Sequence, residues 1–331
     1  MEPLISVIIP AYNVEKHIKK CLNSVLQQTY RNIEAVIIDD GSTDETNEIC
    51  RGYADTDSRV QLWYQENNGT GAARNLGLRK ARGQYIGFVD GDDYLEPGMY
   101  EVLLRYLLNN NASIANCGLV YESEGRPAAV SLNNQENPAV CSNYDLLLTY
   151  LQSKELTCVC NKLYTRSAAL QLFPDLVIGE DAVYLFEVLL NPCTVVSIDN
   201  RFYHYVQRRG SARITKFNPN HLDSLRCAEM VVDRICDSCP QLLPHALAFQ
   251  FKYYIGTLAR IYVWDVEQEY QETVTDIAAK IRDIYMYPQK SLIPGSKRAS
   301  WLCYCLNKSM FRLIMKQYYR RTLYKVMEIN G

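Results

Sequence analysis

The chain has 331 residues, of which 48% are hydrophobic and 22% charged, a composition typical of soluble globular proteins. The formal net charge of −2 excludes a strongly basic nucleic-acid-binding protein, and no apolar run approaches the roughly 18 residues of a membrane span. The charge is unevenly distributed, because the sequence from Lys290 onward contains nine Lys or Arg residues and one acid, Glu328. The carboxyl-terminal tail is therefore basic and the rest of the chain is acidic.

Twelve cysteines are scattered along the chain without the spacing of a small disulfide-bonded domain. The N-terminus carries no basic region, so we expect no secretory signal and reduced thiols in a cytoplasmic protein. Cys236 and Cys239 form a C-x-x-C pair. We interpret them as structural thiols near a helix end, because a zinc site would need a second pair or nearby histidines.

Four buried strands separated by three helices are predicted within the first 90 residues. The strands cover 4–10, 33–38, 60–64 and 85–89, and the helices cover 15–28, a segment from Ser42 or Thr43 to about 53, and 70–81. We expect Pro10 to end the first strand, since proline cannot donate to a sheet ladder. The alternation predicts an α/β fold with a Rossmann-like, mostly parallel sheet and helices on both faces.

The carboxyl ends of these four strands are polar or form loops, and in a parallel sheet such ends meet at one rim. Their sequences are Pro10-Ala11-Tyr12, Asp39-Asp40-Gly41, Glu66-Asn67-Asn68 and Asp90-Gly91-Asp92. Neither a glycine-rich dinucleotide fingerprint nor a P-loop follows the first strand. The rim therefore predicts a ligand site. Phosphates bound there would be neutralised by groups other than a glycine-rich loop.

The fourth strand ends in the acids Asp90, Asp92 and Asp93, with Gly91 permitting a sharp turn. Crowded carboxylates repel one another unless a cation lies among them. Oxygen ligands suit Mg²⁺ or Mn²⁺, and these ions suit a diphosphate. Arg74 on the third helix is a second candidate for the phosphates. The simple alternatives are a solvated acidic turn and a surface arginine.

Two further rim residues have two interpretations each. Tyr12 would stack on a base or pack against its neighbours. Asp40 would accept a hydrogen bond from an imide N–H or cap the next helix.

Beyond the fourth strand we expect a helix over 99–109, a strand over 113–121, an exposed loop over 122–138 and a helix over 144–151. The segment 161–166 should lead into a helix, with Lys162 as a surface or functional residue. Glu180 and Asp181 open an apolar helix, where acids complement the helix dipole. Edge strands are predicted over 195–199 and 201–206.

Four segments resemble, in order and spacing, the large family 2 of inverting glycosyltransferases with a GT-A fold, of the type found in bacterial surface-polysaccharide synthesis. They are Val7–Asn13, Ile37–Asp44, Gly71–Gly77 and Phe88–Asp93, and the resemblance covers residues 4 to about 110. It implies a glycosyltransferase domain over 1–215, with a nucleotide-sugar half over 1–110 and an acceptor half over 111–215.

The resemblance also implies roles for individual residues on the donor side. The loop Pro10-Ala11-Tyr12 and Asp40 would hold the uridine base, and Arg74 would lie near the base and phosphates. Asp90-Gly91-Asp92 resembles the D-x-D motif. Asp92 would be the direct ligand of Mn²⁺ or Mg²⁺, and Asp90 would lie nearer the ribose and the metal.

The implied catalytic residues come later in the chain. Asp181 would be the general base and Glu180 its orienting or acceptor-binding partner, since inversion needs one base opposite the leaving group. Arg208 would contact the diphosphate, and His204 is a weaker candidate metal ligand.

The predicted function is non-processive transfer of a hexose or N-acetylhexosamine from a UDP-sugar to a glycan or lipid-linked acceptor. The tryptophans do not form the Q-x-x-R-W motif of processive synthases. A sugar nucleotidyltransferase and a non-catalytic nucleotide-sugar binding or scaffold protein are the alternatives. We expect no nucleic acid as a partner.

Residues 216–331 are predicted to form a helical C-terminal domain. Lys308, Arg312, Lys316 and Arg320 recur every four residues as a basic stripe on the last helix. A basic amphipathic helix suits an anionic membrane, so we expect contact through 300–331 and a peripheral position on the inner face of the cell membrane. A solvated helix face or a homodimer contact is the alternative.

Overall fold

The computed structural model describes residues 2–123, 138–152, 158–207, 215–287 and 290–327. The chain divides into two compact units. The first comprises Met1–Leu147, Thr157–Asp175 and Glu180–Gln207, and the second comprises Leu148–Leu156, Leu176–Gly179 and Arg208–Gly331. The predicted domain boundary between 215 and 216 stays a prediction.

The first unit is built on a mixed sheet. Its strands are β1 (Ile5–Ala11), β2 (Ile33–Asp39), β3 (Val60–Tyr64), β4 (Tyr85–Phe88), β5 (Tyr94–Leu95), β6 (Ile114–Ser123), β7 (Ala139–Ser142), β8 (Lys162–Thr165) and β9 (Thr194–Gln207). Their order is β3-β2-β1-β4-β8-β6-β9-β5, and β7 also pairs with β9. The predicted parallel pairing is confirmed for β1 to β4. Beyond β4 the sheet is mixed, because β8 runs antiparallel to both β4 and β6.

Within the described residues, six α-helices lie between the strands. They are α1 (Ile18–Leu26), α2 (Thr46–Thr56), α3 (Thr70–Lys80), α4 (Met99–Asn109), α5 (Asn143–Gln152) and α6 (Glu180–Leu190). Every residue of β1 and β2 is buried, as expected for strands covered on both faces. The predicted start of α2 at Ser42 or Thr43 is wrong. The Ser42 amide donates to Asp39 and the Thr46 amide to Asp44, so a turn precedes the helix.

Pro10 lies inside β1 rather than ending it. It continues the parallel register with Ile38 of β2, whereas pairing with β4 stops at Ile8 and Phe88. In a parallel ladder alternate residues face the same neighbour, and the Ile8 and Pro10 carbonyls both accept from the β4 side. The missing N–H of Pro10 therefore faces the side where pairing has already ended, and the strand tolerates it.

Two predictions for the later half of the first unit need correction. The segment 161–166 forms β8 and is followed only by a short 3₁₀ helix over Ala168–Leu170, and Lys162 is buried, which excludes its interpretation as a surface residue. Residues 195–206 form one strand, β9, which lies between β6 and β5 and is therefore not an edge. Most of the predicted loop 122–138 lies outside the described residues.

The second unit is helical, as predicted. It contains α7 (Asp223–Ser238), α8 (Leu243–Val263), α9 (Gln271–Tyr285), α10 (Gly295–Leu306) and α11 (Lys308–Met327). The central helix α8 buries apolar side chains along its whole length. Cys236 and Cys239 lie at the carboxyl end of α7, as predicted. Within the described ranges, no helix combines the length and the apolar character needed to cross a bilayer.

Candidate active site

Arg74 of α3 brings together acids from two distant parts of the sequence. Its side chain is only 2% exposed. One terminal nitrogen, Nη1, donates to Glu180 Oε1 at 3.1 Å and also to Asp181 Oδ1, while Nη2 donates to Asp90 Oδ1 at 2.7 Å. The guanidinium carbon lies 5.2 Å from the ring centroid of Phe173. The acid that follows β4 and the two acids that open α6 therefore meet at one buried cation.

This cluster carries an excess of negative charge, because three carboxylates surround one guanidinium. Burial alone would lower the pKa of Arg74, but Asp181 and Asp90 hold that pKa well above its usual value. Burial raises the pKa of Asp181 well above the usual range. Arg74 opposes this rise, and the neighbouring charge of Glu180 adds to it. A carboxylate with a raised pKa is a stronger base than one in water.

Glycines and an asparagine on α3 set the position of Arg74. A Cβ atom on Gly77 would lie 2.3 Å from Cγ2 of Ile8, and one on Gly71 would lie 3.3 Å from Cβ of Phe173. Asn75 forms a pair of hydrogen bonds with the backbone of Phe173, each 2.9 Å long. The segment Gly71–Gly77 is thus shaped for close packing of α3 on β1 and on the segment that precedes α6.

The turn after β4 is held by a tyrosine that sequence reasoning missed. Tyr203 on β9 donates its hydroxyl hydrogen to Asp93 Oδ2 at 2.6 Å and accepts from the Asp90 amide at 3.2 Å. Asp93 is buried and also accepts from the Val206 amide at 2.8 Å. Asp93 is therefore a structural member of the acidic motif. Nothing in the strand pattern around Tyr203 indicates this contact.

Gly91 lies in the predicted turn, and it is also required for space. A Cβ atom there would lie 3.1 Å from the carbonyl oxygen of Pro10 and 3.2 Å from a methyl carbon of Val14. The Gly91 amide donates to the same Pro10 carbonyl at 3.3 Å. The turn that carries the D-x-D sequence is thereby packed tightly against the end of β1.

Asp90 and Asp92 fit a hard divalent ion such as Mg²⁺ or Mn²⁺. Both are partly exposed, whereas Asp93 is committed to Tyr203 and Val206. In the part of the chain that the structure describes, no three His, Cys, Asp or Glu side chains are arranged to hold a metal ion. Such ions are commonly bound through one or two carboxylates, with substrate phosphates and water completing the shell. Two partly exposed carboxylates agree with that mode of binding.

His204 is not placed as a metal ligand. Its ring is 2% exposed, with Nε2 2.8 Å from Glu96 Oε1 and Nδ1 2.9 Å from Glu122 Oε1. The Tyr94 ring stacks on it at 4.1 Å and donates its hydroxyl hydrogen to Glu122 at 2.7 Å. Both nitrogens face carboxylates of the protein. His204 therefore makes structural contacts between β5, β6 and β9, and these contacts do not favour the weak prediction that it binds a metal ion.

The residues predicted to hold the base lie at the rim but differ in accessibility. Tyr12 is 45% exposed, just beyond β1, whereas Pro10 and Ala11 are buried within it. Asp40 is only 3% exposed. Its carboxylate accepts from Gln65 Nε2 and from the amides of Asn68 and Gly69, at 2.7–2.9 Å. Asp40 therefore holds the loop before α3, and does not cap the next helix. Arg208 lies outside the described residues.

A second feature that sequence reasoning missed is a pair of thiols beside Lys162. The Lys162 Nζ donates to the Cys158 carbonyl at 2.5 Å and to Asn161 Oδ1 at 2.8 Å, and burial lowers the pKa of Lys162. A hydrogen bond from the Cys160 thiol and the charge of Lys162 lower the pKa of Cys158 to about 6. The C-x-C-x-K spacing is the signal that could have indicated it.

The chain matches a known protein family over half of its length. The family model described as Glycosyl transferase family 2 matches residues 6–173, half of the chain. Among relatives, the glycosyltransferase GlyA of Streptococcus pneumoniae serotype 4 is 37% identical over 215 residues. That match covers 62% of this chain and 31% of GlyA, so the chain spans less than a third of that relative.

Two solved structures share the architecture. The crystal structure of S. aureus TarS 1-349 in complex with UDP-GlcNAc matches with a TM-score of 0.70 at 20% identity, over 96% of this chain and 92% of that one. The mannosyltransferase PcManGT from Pyrobaculum calidifontis, in complex with GDP-Man and Mn²⁺, matches with a TM-score of 0.52 at 17% identity, over 99% and 88%. At these identities the likeness concerns the fold. The predicted GT-A architecture with C-terminal helices is confirmed.

Proposed function

Because the chain belongs to glycosyl transferase family 2, we propose that it transfers a hexose or N-acetylhexosamine from a UDP-sugar to a hydroxyl group of a glycan or lipid-linked acceptor. The transfer would proceed with inversion and add one sugar at a time. The observation that carries the proposal is the meeting of Asp90, Glu180 and Asp181 at Arg74. It joins the end of β4, where the donor is predicted to bind, with α6, which carries the predicted general base Asp181.

Asp181 is the proposed general base. It would take the proton of the acceptor hydroxyl as that oxygen attacks the anomeric carbon, while the bond from this carbon to UDP breaks and UDP leaves. Burial raises the pKa of Asp181, which strengthens it as a base. Glu180 shares the Nη1 donor of Arg74 with Asp181 and would orient it or bind the acceptor.

On the donor side, the exposed ring of Tyr12 would stack on the uracil base. Three hydrogen bonds already reach the Asp40 carboxylate, which has about four acceptor positions, so one remains for an imide N–H if the loop shifts to admit it. Asp90 and Asp92 would hold Mn²⁺ or Mg²⁺, which supplies charge neutralisation for the leaving diphosphate when bound. Arg208 stays a proposed contact to that diphosphate.

We place this reaction in surface-polysaccharide synthesis, in the cytoplasm and next to the inner face of the cell membrane. The support is the resemblance to bacterial glycosyltransferases and the twelve cysteines present as free thiols. A second copy of the chain as a partner stays an untested alternative.

The proposal is tested by nucleotide release from UDP-, GDP- and dTDP-sugars, with Mn²⁺ or with a chelator, in the presence of candidate acceptors. We expect metal-dependent release of UDP from one UDP-sugar. Asp181→Asn should lower turnover by at least about a hundredfold while UDP binding is retained. The matched control is Asp175→Asn, which changes an exposed acid of the same unit in the same way and should leave turnover unchanged.

Each outcome separates the alternatives. Full turnover by Asp181→Asn would refute its role as the base without refuting glycosyl transfer. UDP binding without release from any donor would favour the non-catalytic binding protein. Release of pyrophosphate from a nucleoside triphosphate and a sugar phosphate would identify a nucleotidyltransferase.

A further inference from the structure

The last two helices of the second unit expose apolar side chains to solvent. Their exposed fractions range from 43% at Ile314 to 80% at Leu306. The six residues, which we call the exposed apolar set, are Leu302 and Leu306 on α10 and Met310, Leu313, Ile314 and Tyr318 on α11. On α11 they recur at intervals of three and four residues, and such intervals place side chains on one side of a helix.

An adjacent side of α11, formed by Phe311, Arg312, Met315 and Lys316, is packed against the unit. Phe311 is completely buried, and its ring lies 5.6 Å from that of Tyr262 and 5.4 Å from that of Tyr304, in both cases edge to face. A helix in which a fully buried aromatic residue lies beside the exposed residues Met310, Leu313 and Ile314 is oriented by its packing. The exposed apolar set therefore lies on a helix that is packed against the unit, and not on one that is surrounded by solvent.

The basic stripe that we predicted as the outer surface is partly used inside the unit. Arg312 pairs with Glu267 and lies 3.6 Å from Asp265, and the Lys316 ammonium lies 2.5 Å from Asp265. Both acids follow α8, so these ion pairs attach α11 to the end of that helix. Arg320 is described in its backbone alone. The prediction that the basic stripe faces outward, towards a membrane or solvent, is thus corrected for Arg312 and Lys316, and the face that α11 presents outward is largely apolar.

Charge decides what such a face would contact. The segment 290–327 contains nine Lys or Arg residues and no acid. Two copies of this segment brought face to face would repel each other, even with Arg312 and Lys316 neutralised by their partners. An anionic surface that also accepts apolar side chains would match both the positive charge and the exposed apolar set. The surface of a bilayer that contains acidic lipids is of that kind.

We propose that the exposed apolar set on α10 and α11 docks on the surface of a bilayer that contains anionic lipids. The leucines and Met310 enter the boundary between headgroups and acyl chains, and the cations of 290–327 other than Arg312 and Lys316 supply attraction to the headgroups. Helices of this type lie in the plane of the interface and do not cross it. The inference adds a partner to the proposed glycosyl transfer and does not depend on it, because lipid binding is measured without donor or acceptor.

The test uses the full chain and vesicles of phosphatidylcholine, alone or mixed with phosphatidylglycerol, separated by sedimentation. We expect binding to the mixed vesicles that weakens with added salt, and little binding to phosphatidylcholine alone. The double substitution Leu306→Glu with Leu313→Glu should lower the partition coefficient by about tenfold or more. The matched control is Leu108→Glu with Leu170→Glu, which places the same charges at exposed leucines of the first unit and should bind as the unchanged chain does.

Light scattering of the same samples in solution detects a second copy as the occupant. A dimer that becomes a monomer in the Leu306→Glu, Leu313→Glu variant would overturn the proposal, and so would equal sedimentation of that variant and the unchanged chain. Equal binding to both kinds of vesicle would also overturn it, since attraction between charges would then play no part. Circular dichroism of both variants verifies that the chain is folded; because all four leucines are exposed, we expect their melting temperatures to match.

Discussion

Arg74 illustrates how a single side chain organises several acids. A guanidinium carries five N–H donors in a rigid plane, so its two terminal nitrogens reach Asp90 on one side and Glu180 and Asp181 on the other. A lysine at this position would supply the charge without the planar fork. Arg74 is thus an organiser of the acids, and its proposed place near the base and phosphates stays a prediction.

The reactivity of the Cys158 thiol should depend on pH. Its pKa is lowered from the usual 9.0 to about 6, first by the Cys160 thiol and also by the charge of Lys162. Because the thiolate is the reactive form, its alkylation by iodoacetamide should rise with pH through about 6 and then level off above neutrality. Quantitative mass spectrometry of the labelled peptides, after short exposures at a series of pH values, measures this rate.

Cys141 is the internal control for that experiment. It is also partly exposed, but burial raises its pKa, so its alkylation should still be accelerating at the pH where Cys158 has reached its plateau. Removing the nearby charge with Lys162→Met should shift the Cys158 midpoint upward. A Cys158 midpoint at or above that of Cys141 would contradict the assignment.

At the scale of secondary-structure elements, the glycines of α3 decide how close the helix comes to the sheet. A Cβ atom on Gly77 would meet Ile8 at 2.3 Å, so Gly77→Ala forces either α3 or β1 to move. Overpacking of this kind typically costs about 1–3 kcal/mol in the free energy of unfolding. Because Arg74 lies one helical turn before Gly77, we also expect lower turnover at saturating substrate. Urea unfolding and steady-state kinetics measure the two effects.

Gly52 supplies a matched control on α2. It lies within the helix with nothing within 4 Å of the position that a Cβ atom would occupy. Gly52→Ala should therefore be neutral or stabilise the chain by up to about 1 kcal/mol, since alanine favours the helical state. Equal effects of the two substitutions would mean that the contact with Ile8 does not constrain α3.

β2 is joined to its neighbours by a buried carboxylate as well as by backbone pairing. Glu34 accepts from Ser6 Oγ at 2.5 Å, from Gln61 Nε2 at 2.8 Å and from the Arg82 amide at 2.7 Å. Burial opposes ionisation of Glu34, but these donors and the charge of Arg82 hold its pKa below the usual value. The charged form therefore links β1, β2, β3 and the segment leading into β4, far from the rim that carries the acids.

At the scale of the whole molecule, each of the two compact units has its own buried core, so we expect two unfolding transitions. UDP with Mn²⁺ should raise the midpoint of one transition, because Tyr12, Asp40, Asp90 and Asp92, which are proposed to bind the base and the metal, belong to the first unit. A ligand at a hundred times its dissociation constant adds about 2.7 kcal/mol to stability. Differential scanning calorimetry with UDP, with Mn²⁺ and with both measures this shift.

The same scans identify the metal ligand. A chelator or Asp92→Asn should remove most of the additional shift that Mn²⁺ gives in the presence of UDP, whereas Asp175→Asn should leave it intact. An unchanged shift in Asp92→Asn would assign the metal to other residues.

The sequence by itself determined the elements whose signal is local. The first four strands, the helices between them and the helical character of the second unit follow from hydrophobic periodicity, and Gly71–Gly77 and Asp90–Asp93 indicated the site. Periodicity depends on residues a few positions apart, so it can be recognised before any long-range contact is known.

Only the tertiary structure decided which polar groups meet. The pairing of Arg74 with Asp181, the commitment of Asp93 to Tyr203, and the contact of Arg312 with Glu267 join residues far apart in the chain. Such contacts leave no periodic signal, because each depends on how separate elements pack. The same reason explains why Lys162, which looks like a surface residue in its local sequence, lies in a buried strand, and why Arg312 and Lys316 of α11 face acids.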